Sequence, residues 1–304
     1  MSARPAALPN GPVWRVLDCR DSVVQRCHEL PGAEHTAEPG NVGVPALAAH
    51  YHLQTGGRNI RAHLALDAAF HLGLSAQTAI AIASCCELLH NASLIHDDVQ
   101  DRDSTRRGAE AVWKTFGDDI AICTGDLLLS AAYAALAGID DPESLPHMLA
   151  LVHRRIAAAI RGQSADIAHR SNPVKDVDTY LRIVTGKSGA LLSLPLELAL
   201  LASGRGQSTA QARDAAEAFA IGYQIADDLD DIGKDSAKHG GAVDAAPTLN
   251  IALLLQPEND ADVHQQCIAL ARRYLNLAAI GAASLPLQCG NMLARLATDM
   301  NGHF

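Results

Sequence analysis

Along most of the chain, apolar side chains recur at intervals of three and four residues, and nowhere does a convincing apolar/polar alternation run between hairpin turns. The first spacing is that of a helix and the second that of a strand, so the pattern predicts an all-α protein. Helices are expected over about 13–29, 44–54, 59–71, 75–103, 119–137, 144–170, 174–203 with a break near Pro195, 207–233, 246–256, 260–280 and 286–300. The Pro- and Gly-bearing stretch LPGAEHTAEPGNVGVP (30–45) reads as a linker, but the piece before it is too short to fold alone. The expectation is one all-α domain over 1–304, with 1–43 forming an N-terminal helix and linker packed on the body. There is no repeat of 20–50 residues and no low-complexity segment.

Composition sharpens this picture. With 304 residues the chain can bury a sizeable core, and 48% hydrophobic residues with only 4% aromatic make that core one of Ala, Leu, Ile and Val. A formal charge of −10 argues against a nucleic-acid partner, although an acidic protein still binds phosphate through metal ions. The seven cysteines are odd in number and include no CxxC pair, so they read as reduced core residues. The first twenty residues hold no signal-peptide core, and the longest apolar run, ALLSLPLELALLASG, contains Pro195 and Glu197 and falls short of the roughly 20 residues a bilayer requires. A soluble, cytoplasmic protein without stable membrane insertion is expected.

The chemistry sits in two acidic triplets of identical spacing. Asp97, Asp98 and Asp101 close one apolar helical run, and Asp227, Asp228 and Asp231 close another. On a helix, positions i and i+4 share a face and i+1 lies about 100° away, so each triplet can converge on one region of space. Like charges about 4 Å apart repel by roughly 1 kcal/mol in water and about 4 kcal/mol at an effective dielectric of 20, so facing carboxylates require cations. Oxygen donors with few histidines select magnesium, which shares its coordination sphere with substrate phosphates. The implied ligand is a diphosphate held by metal ions between two helices. Arg106 and Arg107 follow the first triplet, and Lys187 and Lys238 lie either side of the second, supplying further positive charge.

These residues carry a resemblance to the trans-isoprenyl diphosphate synthases, closest in motif to the geranylgeranyl and longer-chain members. The motifs occur in order: GGRNIR (56–61), ELLH (87–90), HDDVQD followed by RRG, Gly125-Asp126, GQSAD (162–166), GKS (186–188) and YQIADDLDD (223–231). The resemblance implies that the six aspartates coordinate three magnesium ions on an allylic diphosphate, with Arg106, Lys187, Gln224 and Lys238 contacting it. It further implies that Arg58, Arg61, His90 and Arg107 hold a second, homoallylic diphosphate and that Ser188 joins the substrate contacts. The reaction implied is head-to-tail condensation of isopentenyl diphosphate with an allylic diphosphate. Asp97, Asp98, Asp101, Arg106, Lys187, Asp227 and Asp228 would be its catalytic set, and a homodimer its customary form.

Two departures stand out. The family's Gly-Gly-Lys-Arg-x-Arg-Pro becomes Gly56-Gly57-Arg58-Asn59-Ile60-Arg61-Ala62, replacing a point charge by a planar fork. The Gly-Lys-x-Thr segment after the second triplet is replaced by GGAVDAAPTLNIA. Counting back from Asp97, Ser93, His90 and Cys86 fall at helical spacing, each turn adding about 5.4 Å of depth. Members of the family with short products place aromatics four or five residues before the first Asp. Here those positions are Ser93 and Ala92, which leaves Tyr133 as a deeper stop and points to a C20 or longer product. A class I terpene cyclase and a non-catalytic partner subunit of a prenyl synthase are the alternatives. The first lacks its usual second metal motif and has few aromatic faces for cyclised cations; the second is disfavoured by two intact triplets.

Overall fold

The computed structural model describes residues 14–32, 43–239, 249–255 and 260–304, the side chains of 231–239 and 260–262 excepted. Thirteen α-helices and one minimal hairpin are formed among the described residues. In order they are α1 (Val16–Glu29), α2 (Val44–Gln54), α3 (Ile60–His71), α4 (Ala76–Asp101), strands β1 (Thr105–Arg106) and β2 (Ala109–Glu110), α5 (Val112–Phe116), α6 (Asp118–Leu136), α7 (Leu145–His169) and α8 (Val177–Val184). A π-helical turn, Thr185–Gly189, leads into α9 (Ala190–Ala202); then come α10 (Thr209–His239), α11 (Ile251–Leu254), α12 (Asp260–Ala283) and α13 (Asn291–Asn301).

Helix α4 organises the bundle. The Ser75 hydroxyl caps its N-terminus by accepting from the Thr78 amide at 3.1 Å, and Arg102, in the left-handed region at φ 56°, ends it. Between them Ile82, Cys85, Leu88 and Ile95 are fully buried, and small residues such as Ala79, Ala83 and Ala92 let α1, α3, α6 and α9 close around it. Cys19, Val23 and Cys27 of α1 join that core; the linker expected over 30–45 lies for residues 33–42 outside the described residues. A second cluster forms where α9 and α10 meet α12 and α13, and a third where α8 and α11 meet α10 and α12.

The interruption expected near Pro195 falls elsewhere. Pro195 lies inside α9, whose residues from Ala190 to Leu200 are buried on every face, and the irregularity is the π turn that precedes it. Packing on all sides outweighs the local cost of the ring. The reading that no strand exists also missed β1 and β2, which pair Thr105 with Glu110 and Arg106 with Ala109 across Arg107-Gly108. Both loop residues have positive φ, 53° and 82°, which makes a type I′ turn with no alternating strand to announce it. Three helical stretches, Ala76–Asp101, Asp118–Leu136 and Val177–Ala202, are long and apolar enough to cross a membrane, contrary to the expectation that none is. The first and third bury 78% of their apolar window against the rest of the chain, which accounts for the hydrophobicity of both faces.

Candidate active site

The C-terminal end of α4 presents the first triplet in three directions. Asp97 faces a cavity between α4, α6 and α7, and burial pushes its carboxyl up to about 6 despite the nearby Lys187. Asp98, one step of about 100° further round, is fully buried and accepts from Arg106 Nε at 2.8 Å and from its Nη2. Its second oxygen has no hydrogen-bond partner. Asp101 accepts from Arg170 Nη2, while Arg170 Nη1 donates to the Gln100 carbonyl at 2.8 Å.

Lys187 reaches this end of α4 from the π turn. It donates to Asp166 at 2.5 Å, and although burial works against its charge, Asp166, Asp97 and Asp101 together hold it above the usual lysine range. The turn sits close to α7 because Gly162 has no side chain: a Cβ there would lie 2.2 Å from the Lys187 amide nitrogen. Gly162, Gln163, Asp166 and Arg170 follow one another at i, i+1, i+4 and i+8, so a single face of α7 supplies the close approach, the Gln163–Gln100 bond of 2.9 Å, the Lys187 partner and the Asp101 partner. Asp166, Gln163, Gln100 and Arg170 were not singled out from sequence, although the i, i+4 spacing within GQSAD signals that shared face.

The second triplet lies on α10. Asp227 is exposed, whereas Asp228 is buried and held by three donors: Tyr180 Oη at 2.7 Å, Gln224 Nε2 at 2.9 Å and the Ile251 amide at 2.8 Å. Burial pushes Asp228 up to about 6 against the pull of these donors, and burial together with Asp228 drives the Tyr180 phenol well above its ordinary range. The expectations for Asp231 and Lys238 fall on side chains outside the described residues, as does most of GGAVDAAPTLNIA. Among the described residues no three His, Cys, Asp or Glu side chains converge into a metal site by themselves. The middle aspartate of each triplet is instead held by protein donors, Asp98 through one oxygen only.

Two cavities flank this region. The first, about 360 Å³, is lined along α4 by Leu89, Ala92, Ser93, His96, Asp97 and Gln100, and opposite by Asp126, Leu129, Ile156, Ile160, Lys187 and Leu191. Ala92 and Ser93 therefore occupy the wall assigned to them. His90 and Cys86 do not: the cavity-facing stripe runs through 89, 92, 93, 96, 97 and 100, and His90 stands about 100° from Leu89, past the edge of it. Cys86 is buried in the core. Tyr133 packs against the core and does not line the cavity, whose bulky lining comes from Leu89, Leu129, Ile156 and Leu191. His96 shares that cavity with Asp126, 3.7 Å away.

The second cavity, about 320 Å³, gathers Arg58, Arg61, His90, Arg107, Ser188, Tyr223 and Gln224. Arg58, Arg61, His90 and Arg107, expected at a second diphosphate, are all here with Ser188, whereas Gln224, expected at the allylic diphosphate, lines this cavity and not the first. Burial and then Arg61 and Arg107 push His90 well below the usual histidine range, so its ring is neutral. Arg61 is half-buried, its Nε buried and unpaired, its charge opposed by burial and favoured by Glu87, which accepts from the Ala62 amide at 2.8 Å. Arg107 reaches the Gly56 carbonyl, and its guanidinium occupies the space that a Cβ on Gly57 would need, at 2.8 Å. The Gly-Gly pair is thus a seat for an arginine.

Residues 45–271 match the family described as Polyprenyl synthetase. The (2E,6E)-farnesyl diphosphate synthase of Mycobacterium tuberculosis is 36% identical over 174 residues, 57% of this chain and 48% of the relative. The geranylgeranyl pyrophosphate synthase of Geoglobus acetivorans is 32% identical over 187 residues, 61% of this chain and 59% of the relative. The matched stretch thus spans about half the length of these curated relatives. Among solved structures, geranylgeranyl pyrophosphate synthetase from Pyrococcus horikoshii superposes with a TM-score of 0.77 at 23% identity, covering 94% of this chain and 97% of the other. A decaprenyl diphosphate synthase from Rhodobacter capsulatus gives 0.76 at 21%, covering 95% and 97%. At these identities the likeness establishes the fold.

Proposed function

The chain belongs to the polyprenyl synthetase family, and on that premise we propose that it is a trans-prenyltransferase joining isopentenyl diphosphate to an allylic diphosphate. The observation that supports this best is the pair of cavities sharing α4 as a wall, one acidic with Lys187 at its rim, the other gathering three arginines and a neutral histidine. An ionising substrate and a neutral nucleophilic one, each tethered by a diphosphate, require two such adjoining pockets.

Magnesium fits the first. The donors are carboxylate oxygens, and Asp97 faces the first cavity where a bound cation would offset the burial of its charge. Asp97, Asp101 and Asp227, with Asp231, would hold the ions, three of them by the family's habit, while Asp98 and Asp228 brace Arg106 and the α8–α11 junction. Bound magnesium would supply Lewis-acid withdrawal of charge from the departing diphosphate. Lys187 and Arg106 place fixed positive charge beside that departing group. Arg58, Arg61 and Arg107 hold the second diphosphate, to which a neutral His90 can donate a hydrogen bond. Leu89, Leu129, Ile156 and Leu191 keep water from the cationic allylic fragment. By the family resemblance the released diphosphate itself takes the last proton.

We read the product as C20 or longer, supported by the small side chains Ala92 and Ser93 on the cavity wall next to Asp97. A cytoplasmic homodimer is the form that the family resemblance supports. The test is incubation with isopentenyl diphosphate, Mg2+ and each allylic primer in turn, followed by sizing of the products. Elongation to C20 or beyond that stops on chelation is expected. A ladder ending at C15 overturns the length assignment, and cyclic hydrocarbons or bare phosphate release overturn the transferase.

A further inference from the structure

The face of α7 that carries Gly162, Gln163 and Asp166 leads on to Arg170, whose side chain lines neither cavity. Its guanidinium spans the last two residues of α4: Nη1 donates to the Gln100 carbonyl at 2.8 Å and Nη2 donates to Asp101 Oδ1. That carbonyl is one of the four at a helix C-terminus that have no partner within the helix. Two turns back along α7, Gln163 Nε2 donates to Gln100 Oε1 at 2.9 Å, so α7 grips the end of α4 twice. We propose that Arg170 is a positioning residue, holding Asp101 beside Asp97 as a ligand for the divalent ion of the first cavity.

Three observations set this contact apart from an ordinary surface ion pair. The Arg170 and Asp101 side chains are only 30% and 27% exposed, so water screens their attraction weakly. The backbone that presents Arg170 is anchored: the buried His169 ring accepts from the Val174 amide at 2.9 Å, and the Asn172 amide donates to the Ala168 carbonyl at 2.9 Å. The bond takes Oδ1 of Asp101 and not Oδ2, the same division that Arg106 makes at Asp98, where both of its bonds go to Oδ1. Asp97 and Asp101 lie one turn apart on one face and repel, and Arg170 offsets that repulsion before an ion arrives. Once the ion is in place the arginine repels it, so a net gain in affinity must come from orientation. Outer partners of metal ligands contribute about 10–100-fold in this way. The inference rests on the reading of Asp101 as an ion ligand.

Binding of Mn2+ to the full chain, without substrate, would be followed by the resonance signal of the free ion in the wild type, Arg170→Met, Arg170→Lys, Asp101→Asn and the double variant Arg170→Met with Asp101→Asn. Arg170→Met should bind about tenfold more weakly. Arg170→Lys keeps the charge but loses the fork and should fall between. Adding Arg170→Met to Asp101→Asn should change nothing further, since the arginine acts through that carboxylate. Prenyl transfer by Arg170→Met should require about tenfold more Mg2+, with KM for isopentenyl diphosphate unmoved. Equal Mn2+ affinity in Arg170→Met, even with stability lost in urea, would show a helix brace; tighter binding would show a competitor of the ion; a further loss in the double variant would show action elsewhere. Each of these overturns the proposal. The Mn2+ titrations need no turnover, so a wild type that binds the ion and transfers no prenyl group would overturn the reaction and leave the role of Arg170 to be decided by them.

Discussion

Gly162 and Gly125 look alike in sequence, each small and each in a helix beside the proposed site, yet replacing them by alanine should have opposite consequences. A Cβ on Gly162 meets backbone alone: the Lys187 amide nitrogen at 2.2 Å, the Gly186 carbonyl carbon at 2.6 Å and the Lys187 Cα at 2.9 Å. Ordinary contact begins near 3.4 Å, so α7 or the π turn must retreat by about 1.2 Å. Overpacking of this kind costs about 1–3 kcal/mol and sometimes more, against about 1 kcal/mol gained from alanine's helix propensity. A Cβ on Gly125 meets only the His96 imidazole, at 2.1 Å, and a side chain can rotate away for about 1 kcal/mol, which the same propensity gain offsets. Gly162→Ala should therefore lose about 1–2 kcal/mol in urea unfolding and about 2–3 °C in melting temperature, while Gly125→Ala stays near the wild type. The retreat also draws Lys187 off Asp166, so KM for the allylic diphosphate should rise several-fold in the first variant only. Equal losses in the two, or a fully stable Gly162→Ala, would refute the reasoning.

Other outcomes follow from single residues. Ser93 stands about 6 Å along α4 from Asp97 and Leu89 about 12 Å, so Ser93→Phe should cut the principal product to C15 or shorter, read by chromatography of the dephosphorylated products. The Glu197 carboxylate, 2% exposed, takes a fork from Arg155 at 2.7 and 2.6 Å. Glu197→Gln should cost about 3 kcal/mol by leaving that arginine uncompensated, whereas Arg155→Met with Glu197→Leu should fall within about 1 kcal/mol of the wild type. His52, bonded to Asn91 at 3.1 Å, is pushed down to about 4 by burial and then by Arg107. The fold favours its neutral ring, so its contribution is full above pH 6.5, the unfolded value, and is lost as pH falls through about 4. Stability of the wild type relative to His52→Gln, measured by chemical denaturation, should be flat above that pH and decline below it.

Helices long enough to repeat their pattern several times were legible from sequence. Ser75 announces the start of α4, and the expected 75–103 became Ala76–Asp101. What escaped was set by tertiary contact: β1 and β2 are two residues each, α5 is five, and of the expected 246–256 the described residues 249–255 are helical over Ile251–Leu254. At the site, the basic residues Arg58, Arg61, Arg107 and the neighbouring His90 could be listed from motifs, but not the wall of α4 that separates them from Asp97. Spacing puts Asp97, Asp98 and Asp101 within reach of one another; it does not say that Asp98 will find Arg106 and Asp228 find Tyr180, because those partners lie on other elements.

Arg106 and Arg107 are consecutive, yet the I′ turn sends them apart, one to Asp98 beside the acidic pocket and the other to Gly56 beside the basic one. A single peptide bond is all that separates the two grips, and it belongs to a ribbon only two rungs long. Whatever holds this ribbon in register therefore fixes the placement of both arginines at once.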